Sequence, residues 1–486
     1  MRTSSTQELA RLAGARLEGD GTVAVGPDVV IDARKATPGS LFVAIPGERV
    51  DGHDFTSQAA AAGAAAVLAS RATGADLPHL LVDESVSGLS ELARGLVARE
   101  HERGLVTLAV TGSSGKTSTK DLLAQLLEAH GPTVSPIGSF NNEIGVPLTA
   151  CGVDGQTRFL VSEMGARGLG HVAWLCSITR PDVSLVLNVG TAHLGEFGSR
   201  EGIAQAKGEI VEALRPEGWA VLNADDELVF AMASRTSAHL AWWSRTGWES
   251  TGGSAPDGDL HVQAVDVSAN DLEQYRFTLV VERAGGREQH QVQLQLLGSH
   301  QVSNALAAAT AAIAAGCDAK TVASSLSAAT TRSPWRMQMD VRSDGLAVLN
   351  DAYNANPSSM AEAVATIGRI GRTRRAEHPG AKVHAVLGDM LELGGDAEAL
   401  HRAVGVQAVE CGIDDLVAVG SFAEAIAEGA RSAGGQARVM KTDQAAASLV
   451  LDPADVVLVK ASRGIALETV AEALLGGDGE TSGVTQ

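Results

Sequence analysis

Short apolar runs of strand length alternate with segments of helical spacing through the middle of the chain. The run LVTLAVTG begins at residue 105 and is followed, after a glycine-rich turn, by KTSTKDLLAQLLEAHG, where apolar residues recur at helical intervals. Further strands are predicted in RFLVSEMG, VSLVLNVG and WAVLNADD, and a further helix in REGIAQAKGEIVEALRPEG. Regular alternation of this kind predicts a mostly parallel, doubly wound sheet.

The pattern changes after residue 258 and restarts after residue 331. Three stretches, LHVQAVDVS, YRFTLVVERAGG and EQHQVQLQLLG, are typical of antiparallel strands, and the alanine-rich NALAAATAAIAAG predicts a helix. Beyond residue 331, the strand-like runs LAVLNDAY, KVHAVLGD, DLVAVGS and DVVLVKASRG alternate with helices that begin at Pro357 and near His401. This second alternation predicts a smaller Rossmann-like domain.

The first hundred residues have a mixed pattern. LARLAGARL has helical spacing, SLFVAIPG predicts a strand and a turn, and AAAGAAAVLAS predicts a helix or a helix–strand junction. Single cores stop growing at about 250 to 300 residues, so this chain is expected to form several domains. We predict an α/β protein with three of them: a small mixed α/β N-terminal domain (1–103), a central P-loop domain with a doubly wound, mostly parallel sheet (104–330) and a Rossmann-like C-terminal domain (331–486). The polar tail GGDGETSGVTQ is predicted to be disordered.

Composition and charge narrow the choice of partners and compartment. The formal net charge of −20 argues against a nucleic-acid partner, because binding to a phosphate backbone needs clustered Lys and Arg. The four cysteines lie far apart and form no CxxC pair, which indicates a reducing compartment. The N-terminus lacks the apolar core of a signal peptide, and the apolar runs are too short to span a bilayer. We therefore expect a cytoplasmic protein without a membrane anchor.

The stretch AVTGSSGKTSTK at 109–120 is a candidate phosphate-binding loop. A strand, a glycine-rich loop and a helix N-terminus together form an anion site, because backbone N–H groups and the helix dipole face the ligand. Lys116 is placed to reach the β and γ phosphates, and Thr117 to bind Mg²⁺. The strict spacing of a Walker A loop fails, since Val110 stands where the first glycine belongs. The alternative is a tight strand-to-helix turn with an incidental lysine.

Three further residues are candidates for a metal site. Glu163 and His193 follow predicted strands, and the carboxyl ends of parallel strands meet at one edge of a sheet. A carboxylate suits Mg²⁺, whereas a histidine is unusual on this ion and is equally typical of a capping or packing residue. Lys207 would repel a cation unless its amine were neutral and modified. The alternative for Lys207 is a surface salt bridge to Glu201 or Glu209.

Eight motifs in sequence order are similar to those of a known family. They are TGSSGKTS, SFNNEIGVPLT, SEMGARGLGH, NVGTAHLGEFGSREGIAQAKGEI, GSHQVSNALAA, LNDAYNANPSSM, LGDMLELG and VKASRG. Together they resemble the Mur ligases of peptidoglycan synthesis, over nearly the whole chain. The N-terminal DARKATPGSLFVAIPGERVDGHDF is similar to the member that adds D-alanyl-D-alanine to UDP-N-acetylmuramoyl-tripeptide. The resemblance therefore implies these two small molecules as substrates, with ATP, and a monomeric enzyme.

The resemblance also implies the residues of an ATP site with two Mg²⁺ ions. The loop residues implied to hold ATP are Gly112, Ser113, Ser114, Gly115, Lys116, Thr117 and Ser118. The other implied ATP contacts are Asn141 and Asn142 near the phosphates, Asn304 near the adenine, Arg336 at the γ-phosphate, and Asp351 and Tyr353 near the ribose and adenine. The implied metal ligands are Thr117, Glu163, His193 and a Lys207 carbamylated by CO₂. Lys116, Glu163, His193, Lys207 and Arg336 form the implied catalytic set.

Substrate positions are implied at both ends of the chain. Those for the UDP substrate are Asp32, Arg34, Gly47, Asp51 and His53, and those for the amine substrate are Ser462 and Arg463. Three positions depart from the family's usual residues: Ala33 replaces a common serine, and Trp335 and Ala461 each replace a common glycine.

Two other functions are consistent with a phosphate-binding loop. The first is a different amide ligase of the same architecture, either one that adds diaminopimelate or lysine, or a folylpolyglutamate synthetase. The Asp-Asn-Pro-Arg stretch of the former is absent, and NANPSSM stands in the similar place. A folylpolyglutamate synthetase would not account for LFVAIPGERVDGHDF. The second is a P-loop switch ATPase that makes no amide bond, which would leave residues 331–486 without a role.

Overall fold

Three β-sheets of five, nine and six strands follow one another along the chain. A computed structural model describes residues 1–190, 197–248 and 254–476. Two of the sequence predictions, His193 and the polar tail beyond residue 476, fall outside the described residues. Across the described ranges, no helix combines the length and the apolar character that a bilayer crossing needs.

The N-terminal sheet has five strands in the order β2-β7-β6-β5-β4, of which only the β2–β7 pair is antiparallel. The strands of this region are Ser4–Ser5 (β1), Arg16–Glu18 (β2), Ala24–Val25 (β3), Val29–Val30 (β4), Leu41–Val43 (β5), Ala66–Ala69 (β6) and His79–Leu81 (β7). The helices are Thr6–Leu12, Thr56–Ala61 and Ser85–His101. The helix predicted through LARLAGARL is too long, because Gly14 adopts a left-handed φ of +63° and the chain turns into β2.

The central sheet has nine strands in the order β16-β15-β14-β13-β12-β11-β8-β10-β9. These strands are Val106–Thr111 (β8), Thr133–Val134 (β9), Phe159–Glu163 (β10), Val183–Val186 (β11), Trp219–Asn223 (β12), His239–Ser244 (β13), Leu260–Ala269 (β14), Gln274–Arg283 (β15) and Gly286–Leu297 (β16). The pairs from β9 to β14 are parallel, and β14, β15 and β16 form the predicted antiparallel meander. Strand β13 was not predicted.

Helices cover both faces of the central sheet, as a doubly wound sheet requires. The helices of this region are Lys116–Glu128, Gly145–Ala150, His171–Thr179, Arg200–Glu212, Glu227–Phe230, His300–Ala314 and Ala319–Ala328. One apolar cluster joins one face of the sheet to the helices that begin at Lys116 and His300, and another joins the opposite face to those that begin at His171 and Arg200. The predicted α/β class and doubly wound sheet are confirmed.

The C-terminal sheet has six strands in the order β17-β18-β22-β19-β20-β21, parallel except for the β17–β18 pair. The strands are Gln338–Val341 (β17), Ala347–Asn350 (β18), Val383–Leu387 (β19), Asp415–Ala418 (β20), Gln436–Val439 (β21) and Val456–Lys460 (β22). The helices are Pro357–Glu377, Ala397–Glu410, Ala423–Ser432, Thr442–Ala445 and Glu468–Leu475. Asn356 caps the first of them through a capping box, with Pro357 in its first turn.

The segment that links the last two sheets lies against the helix Lys116–Glu128. Thr330 exchanges two hydrogen bonds of 3.0 Å with the side chain of Gln125. Arg332 pairs with the Glu128 carboxylate, and the Ser333 N–H donates to Asp121 at 3.1 Å. The phosphate-loop helix is therefore attached directly to the chain that enters the C-terminal sheet.

Candidate active site

A cavity of about 890 Å³ lies where the carboxyl ends of the central strands face the C-terminal sheet. It is the expected position for a ligand, because open α/β sheets bind at this edge of their strands. The sequence-predicted residues that line it are Ser113, Ser114, Gly115, Lys116, Thr117, Ser118, Asn141, Glu163, Lys207, Asn304, Arg336, Asp351 and Tyr353. The structure thus brings together residues from two sheets that are up to 240 positions apart in the sequence.

The glycine loop between β8 and its helix is held in shape by two asparagines. Gly115 has φ of +79°, and a Cβ there would lie 2.6 Å from Asn304 Oδ1, so a side chain is excluded on two grounds. The Asn188 Oδ1 atom accepts hydrogen bonds from the N–H groups of Ser113 (3.1 Å) and Ser114 (3.0 Å). Sequence reasoning missed Asn188, although its place at the end of the apolar run VSLVLNVG was a usable signal.

Lys116 begins the helix that follows the loop, and its side chain folds back over the loop. Its Nζ donates to the Gly112 carbonyl at 2.8 Å. Burial lowers the pKa of Lys116 despite the nearby charge of Glu163, and the positive charge of Arg336 lowers it further. An anion in the cavity would oppose this shift and favour the charged ammonium.

Glu163 ends strand β10 and is only 1% exposed. Its Oε1 accepts from Asn141 Nδ2 at 2.8 Å, and its Oε2 is buried with no hydrogen-bond partner among the described residues. A buried carboxylate oxygen of this kind at a cavity wall fits a hard divalent cation. No group of three or more His, Cys, Asp or Glu side chains suited to a metal occurs in the part of the chain that the structure describes, so other donor types would have to complete the site.

Lys207 lies on the helix Arg200–Glu212 and is 3% exposed. Burial lowers its pKa well below the usual value, and the charge of Lys116 acts in the same direction. Within residues 1–190, 197–248 and 254–476, nothing forms a hydrogen bond or an ion pair with its amine. Glu209, one predicted partner, instead accepts from the N–H groups of Gly170 (2.6 Å) and Ala173 (3.0 Å). The surface salt bridge is thus not formed within the described chain.

Arg336 reaches the glycine loop from the C-terminal side of the cavity. Its Nη2 donates to Thr117 Oγ1 at 2.9 Å, and its guanidinium lies 3.9 Å from the centre of the Tyr353 ring. Trp335 and Met337, on either side of it, have left-handed φ angles of +58° and +48°. The Trp335 ring packs against the Arg463 guanidinium at 4.1 Å. Trp335 stands where glycine is common in the family that the sequence resembles, and Arg336 nevertheless lines the cavity.

The residues predicted to contact ribose and adenine engage protein partners in this structure. The Asp351 carboxylate forms a 2.5 Å ion pair with Lys460 and accepts from the Met337 N–H at 3.0 Å. The Tyr353 hydroxyl bonds to the Ser139 hydroxyl of the central region. Lys460, which sequence reasoning missed, was hidden in VKASRG as the last residue of an apolar run.

Of the residues predicted to hold ATP or the amine substrate, Gly112, Asn142, Ser462 and Arg463 do not line the cavity, and the Gly112 carbonyl instead accepts from Lys116. Asn142 Oδ1 accepts from the Gly145 N–H at 2.8 Å, at the start of the helix Gly145–Ala150. The Ser462 hydroxyl accepts from the Leu391 N–H at 3.0 Å, and Arg463 pairs with Glu468 at 2.5 Å as well as packing on the tryptophan. Each of these side chains makes a local structural contact.

The five residues predicted to hold the UDP substrate lie in the N-terminal region, outside the cavity. Asp32 forms a bidentate ion pair with Arg34, whose hydrogen bonds lower the pKa of this carboxyl to about 2. His53 is buried and shares a 2.6 Å contact with Asp51, while its Nε2 accepts from the Ser70 N–H at 3.1 Å. The Gly47 N–H donates to the Val50 carbonyl in a tight turn. These contacts order the loops that carry the five residues.

Comparisons with known proteins give the same family for all three regions of the chain. Three family profiles match: "Mur ligase family, catalytic domain" over 28–95, "Mur ligase middle domain" over 110–312 and "Mur ligase, glutamate ligase domain" over 335–463. A Mycobacterium tuberculosis protein named UDP-N-acetylmuramoyl-tripeptide–D-alanyl-D-alanine ligase is 42% identical over 93% of this chain and 92% of its own length. MurF from Acinetobacter baumannii has a TM-score of 0.82 at 29% identity, covering 98% of this chain and 99% of that one. MurF from Thermotoga maritima, solved in complex with ADP, has a TM-score of 0.72 at 28% identity, covering 92% and 97%.

Proposed function

The chain belongs to the Mur ligase family, and on that basis we propose that it joins D-alanyl-D-alanine to UDP-N-acetylmuramoyl-tripeptide with ATP. The products are the UDP-N-acetylmuramoyl-pentapeptide, ADP and phosphate, in the synthesis of peptidoglycan precursors. The observation that carries the proposal is the convergence of Lys116, Glu163, Lys207 and Arg336 on one cavity beside the glycine loop. The positive charges of Lys116 and Arg336, together with a metal ion that Glu163 would hold, suit a reaction in which two anions must meet.

The reaction must first make a carboxylate electrophilic. A carboxylate oxygen of the tripeptide attacks the γ-phosphorus of ATP, ADP leaves, and an acyl phosphate forms. The amine of D-alanyl-D-alanine then attacks the carbonyl carbon, loses a proton and expels phosphate. One oxygen of that phosphate comes from the original carboxylate. Lys116 and the loop N–H groups would bind the β and γ phosphates, and Arg336 would contact the γ-phosphate. Removing one such contact commonly costs about 10²- to 10³-fold in rate.

We propose two Mg²⁺ ions as cofactors in addition to ATP. Thr117 and the unpartnered oxygen of Glu163 would hold one ion. Lys207 would hold the other after its neutral amine has added to CO₂ and lost a proton to become a carbamate, with His193 as a further ligand. Bound Mg²⁺ supplies positive charge that offsets the repulsion between the substrate carboxylate and the phosphates. The burial of Lys207 and its lack of a partner among the residues that the structure describes support its carbamylation, since only an uncharged amine adds to CO₂.

The three regions of the chain suit three tasks. Residues 1–103 would hold the UDP end of the first substrate, 104–330 would hold ATP, and 331–486 would hold the amine substrate. The cavity between the second and third regions would then enclose the acyl phosphate and exclude water. We place this reaction in the cytoplasm and assign it to a monomer, a state that light scattering would test directly.

Phosphate release is the deciding assay. With ATP, Mg²⁺ and UDP-N-acetylmuramoyl-tripeptide, release should depend on added D-alanyl-D-alanine. Release that instead requires diaminopimelate or lysine and the dipeptide precursor would identify the other kind of amide ligase. Release that is independent of any acceptor would favour a P-loop switch ATPase.

A further inference from the structure

Lys460 is a buried lysine that none of the roles above uses. It ends strand β22, is 1% exposed and belongs to the cavity wall. Its Nζ donates to Asp351 Oδ2 at 2.5 Å and to the Asn354 carbonyl at 2.8 Å. Burying a charged lysine costs free energy unless the charge is paired. The groups that pair with Lys460 therefore indicate its role.

The partner of Lys460 holds the backbone beside Arg336. Asp351 Oδ1 accepts from the Met337 N–H at 3.0 Å, and the Tyr353 N–H donates to the Trp335 carbonyl at 3.1 Å. Both neighbours of Arg336 are thus fixed by the segment 351–353, which follows strand β18. The Tyr353 ring also packs against the guanidinium of that arginine.

The backbone at Arg336 needs this support. Two left-handed residues that are not glycine flank the arginine, and such conformations persist only where surrounding contacts determine them. Without Lys460, the Asp351 carboxylate would be a buried charge with no lysine to neutralise it. It would then be drawn toward water or another cation and away from the Met337 N–H.

We propose that Lys460 is a positioning residue for Arg336. By neutralising Asp351, it keeps the turn around residues 335–337 in the one conformation that directs the guanidinium to the glycine loop. The inference rests on the proposed role of Arg336 at the γ-phosphate. Lys460 therefore affects binding of a triphosphate more than binding of a diphosphate, which lacks the γ-phosphate that Arg336 would contact.

Nucleotide affinity tests the proposal without any acceptor substrate. Calorimetry with Mg²⁺ would compare ADP with the β,γ-imido analogue of ATP. Lys460→Met should weaken binding of the triphosphate analogue about tenfold more than binding of ADP, and tenfold is the value of one charge-assisted hydrogen bond. An equal loss for both nucleotides, or no loss for either, would overturn the proposal. The exposed Lys441 provides the control variant Lys441→Met.

Two double variants, each of which removes both charges of the Lys460–Asp351 ion pair, keep the test decisive if Lys460→Met does not fold. Asp351→Asn with Lys460→Met retains an amide oxygen that can accept from Met337, whereas Asp351→Ala with Lys460→Met does not. Circular dichroism would confirm folding of both, which bury no unpaired charge. The first pair should keep the preference for triphosphate and the second should lose it. The same preference in both pairs would refute the positioning role.

Arg336→Met separates this inference from the proposed function. It should remove the triphosphate preference, and adding Lys460→Met should then cause no further loss, because the two residues act through one contact. If Arg336→Met leaves the preference intact, the proposed role of Arg336 fails. If it removes the preference while Lys460→Met leaves it intact, the positioning role alone fails.

Discussion

Lys116 and Lys207 both line the cavity, and their surroundings give them different chemistry. Lys116 donates to the Gly112 carbonyl and lies in the field of Glu163, so a charged form has support. Lys207 has no partner within the described residues, and burial disfavours its charge strongly. The sequence offered both as candidates, but burial and pairing, which separate a phosphate-binding ammonium from a modifiable amine, arise only in the folded chain.

Replacing Lys207 tests whether its side chain acts as a carbamate. Lys207→Ala should lose ligase activity, since the anionic group that holds the second ion is gone. Short carboxylates added in solution should restore part of that activity by entering the space left behind. A Lys207→Ala enzyme with unimpaired turnover would show that the residue has no part in the reaction.

The same lysine should make stability depend on pH. In buffer free of CO₂, the folded protein binds a proton at Lys207 only below a lowered pKa, whereas the unfolded chain binds it up to about pH 10.4. Between those two pKa values the unfolded state binds more protons, so stability rises with pH. Urea unfolding of the wild type and of Lys207→Met, at several values between about pH 7 and 10, should show the wild type gaining relative to the variant. Parallel curves would contradict the burial of an uncharged amine.

At the scale of single elements, the glycine loop depends on both conformation and space at Gly115. Gly115→Ala introduces a left-handed alanine, at about 1 to 2 kcal/mol, and places Cβ against Asn304. Gly104→Ala is the matched control, because Gly104 has φ of +96° with no atom near its missing Cβ. Nucleotide affinity should fall sharply in Gly115→Ala and remain unchanged in Gly104→Ala. Equal affinities in the two variants would show that the loop tolerates displacement.

Asp121 and Arg332, which both take part in the contacts between the linker and the loop helix, should differ in how much their replacement lowers the free energy of unfolding. Lys120 is buried and bonds to the Asp121 carboxylate, so Asp121→Ala leaves a buried charge without its counter-ion. That change should cost about 3 kcal/mol in urea unfolding. Arg332→Ala breaks a half-exposed pair with Glu128 and should cost less than about 1 kcal/mol. A larger cost for Arg332→Ala than for Asp121→Ala would reverse this assignment.

Periodicity predicted most elements of the central and C-terminal sheets, because their strands are continuous apolar runs and their helices are amphipathic. It failed where a local signal competed with the pattern. Gly14 ended the first helix early and released residues 16–18 into a strand. Strand β13 has the sequence HLAWWS and contains none of the β-branched residues that favour recognition of a strand.

At the scale of the whole molecule, the site exists only because two sheets face each other. Arg336 contacts Thr117, and Tyr353 contacts Ser139, across the cavity. Motif similarity brought Thr117, Arg336 and Tyr353 into one prediction, which did not include Ser139. The contacts themselves could not be read from spacing, since each spans more than 200 positions. The pairing of Asp351 with Lys460, more than 100 positions apart, is of the same kind.

The most direct test follows one oxygen atom through the reaction. If ATP phosphorylates the terminal carboxylate of the tripeptide, an oxygen of that carboxylate leaves with the phosphate when the amide forms. The tripeptide would carry heavy oxygen in that carboxylate, and mass spectrometry would analyse the released phosphate. The acyl-phosphate mechanism predicts one heavy oxygen in each phosphate released with amide formation. Unlabelled phosphate from a reaction that still forms the amide would contradict it.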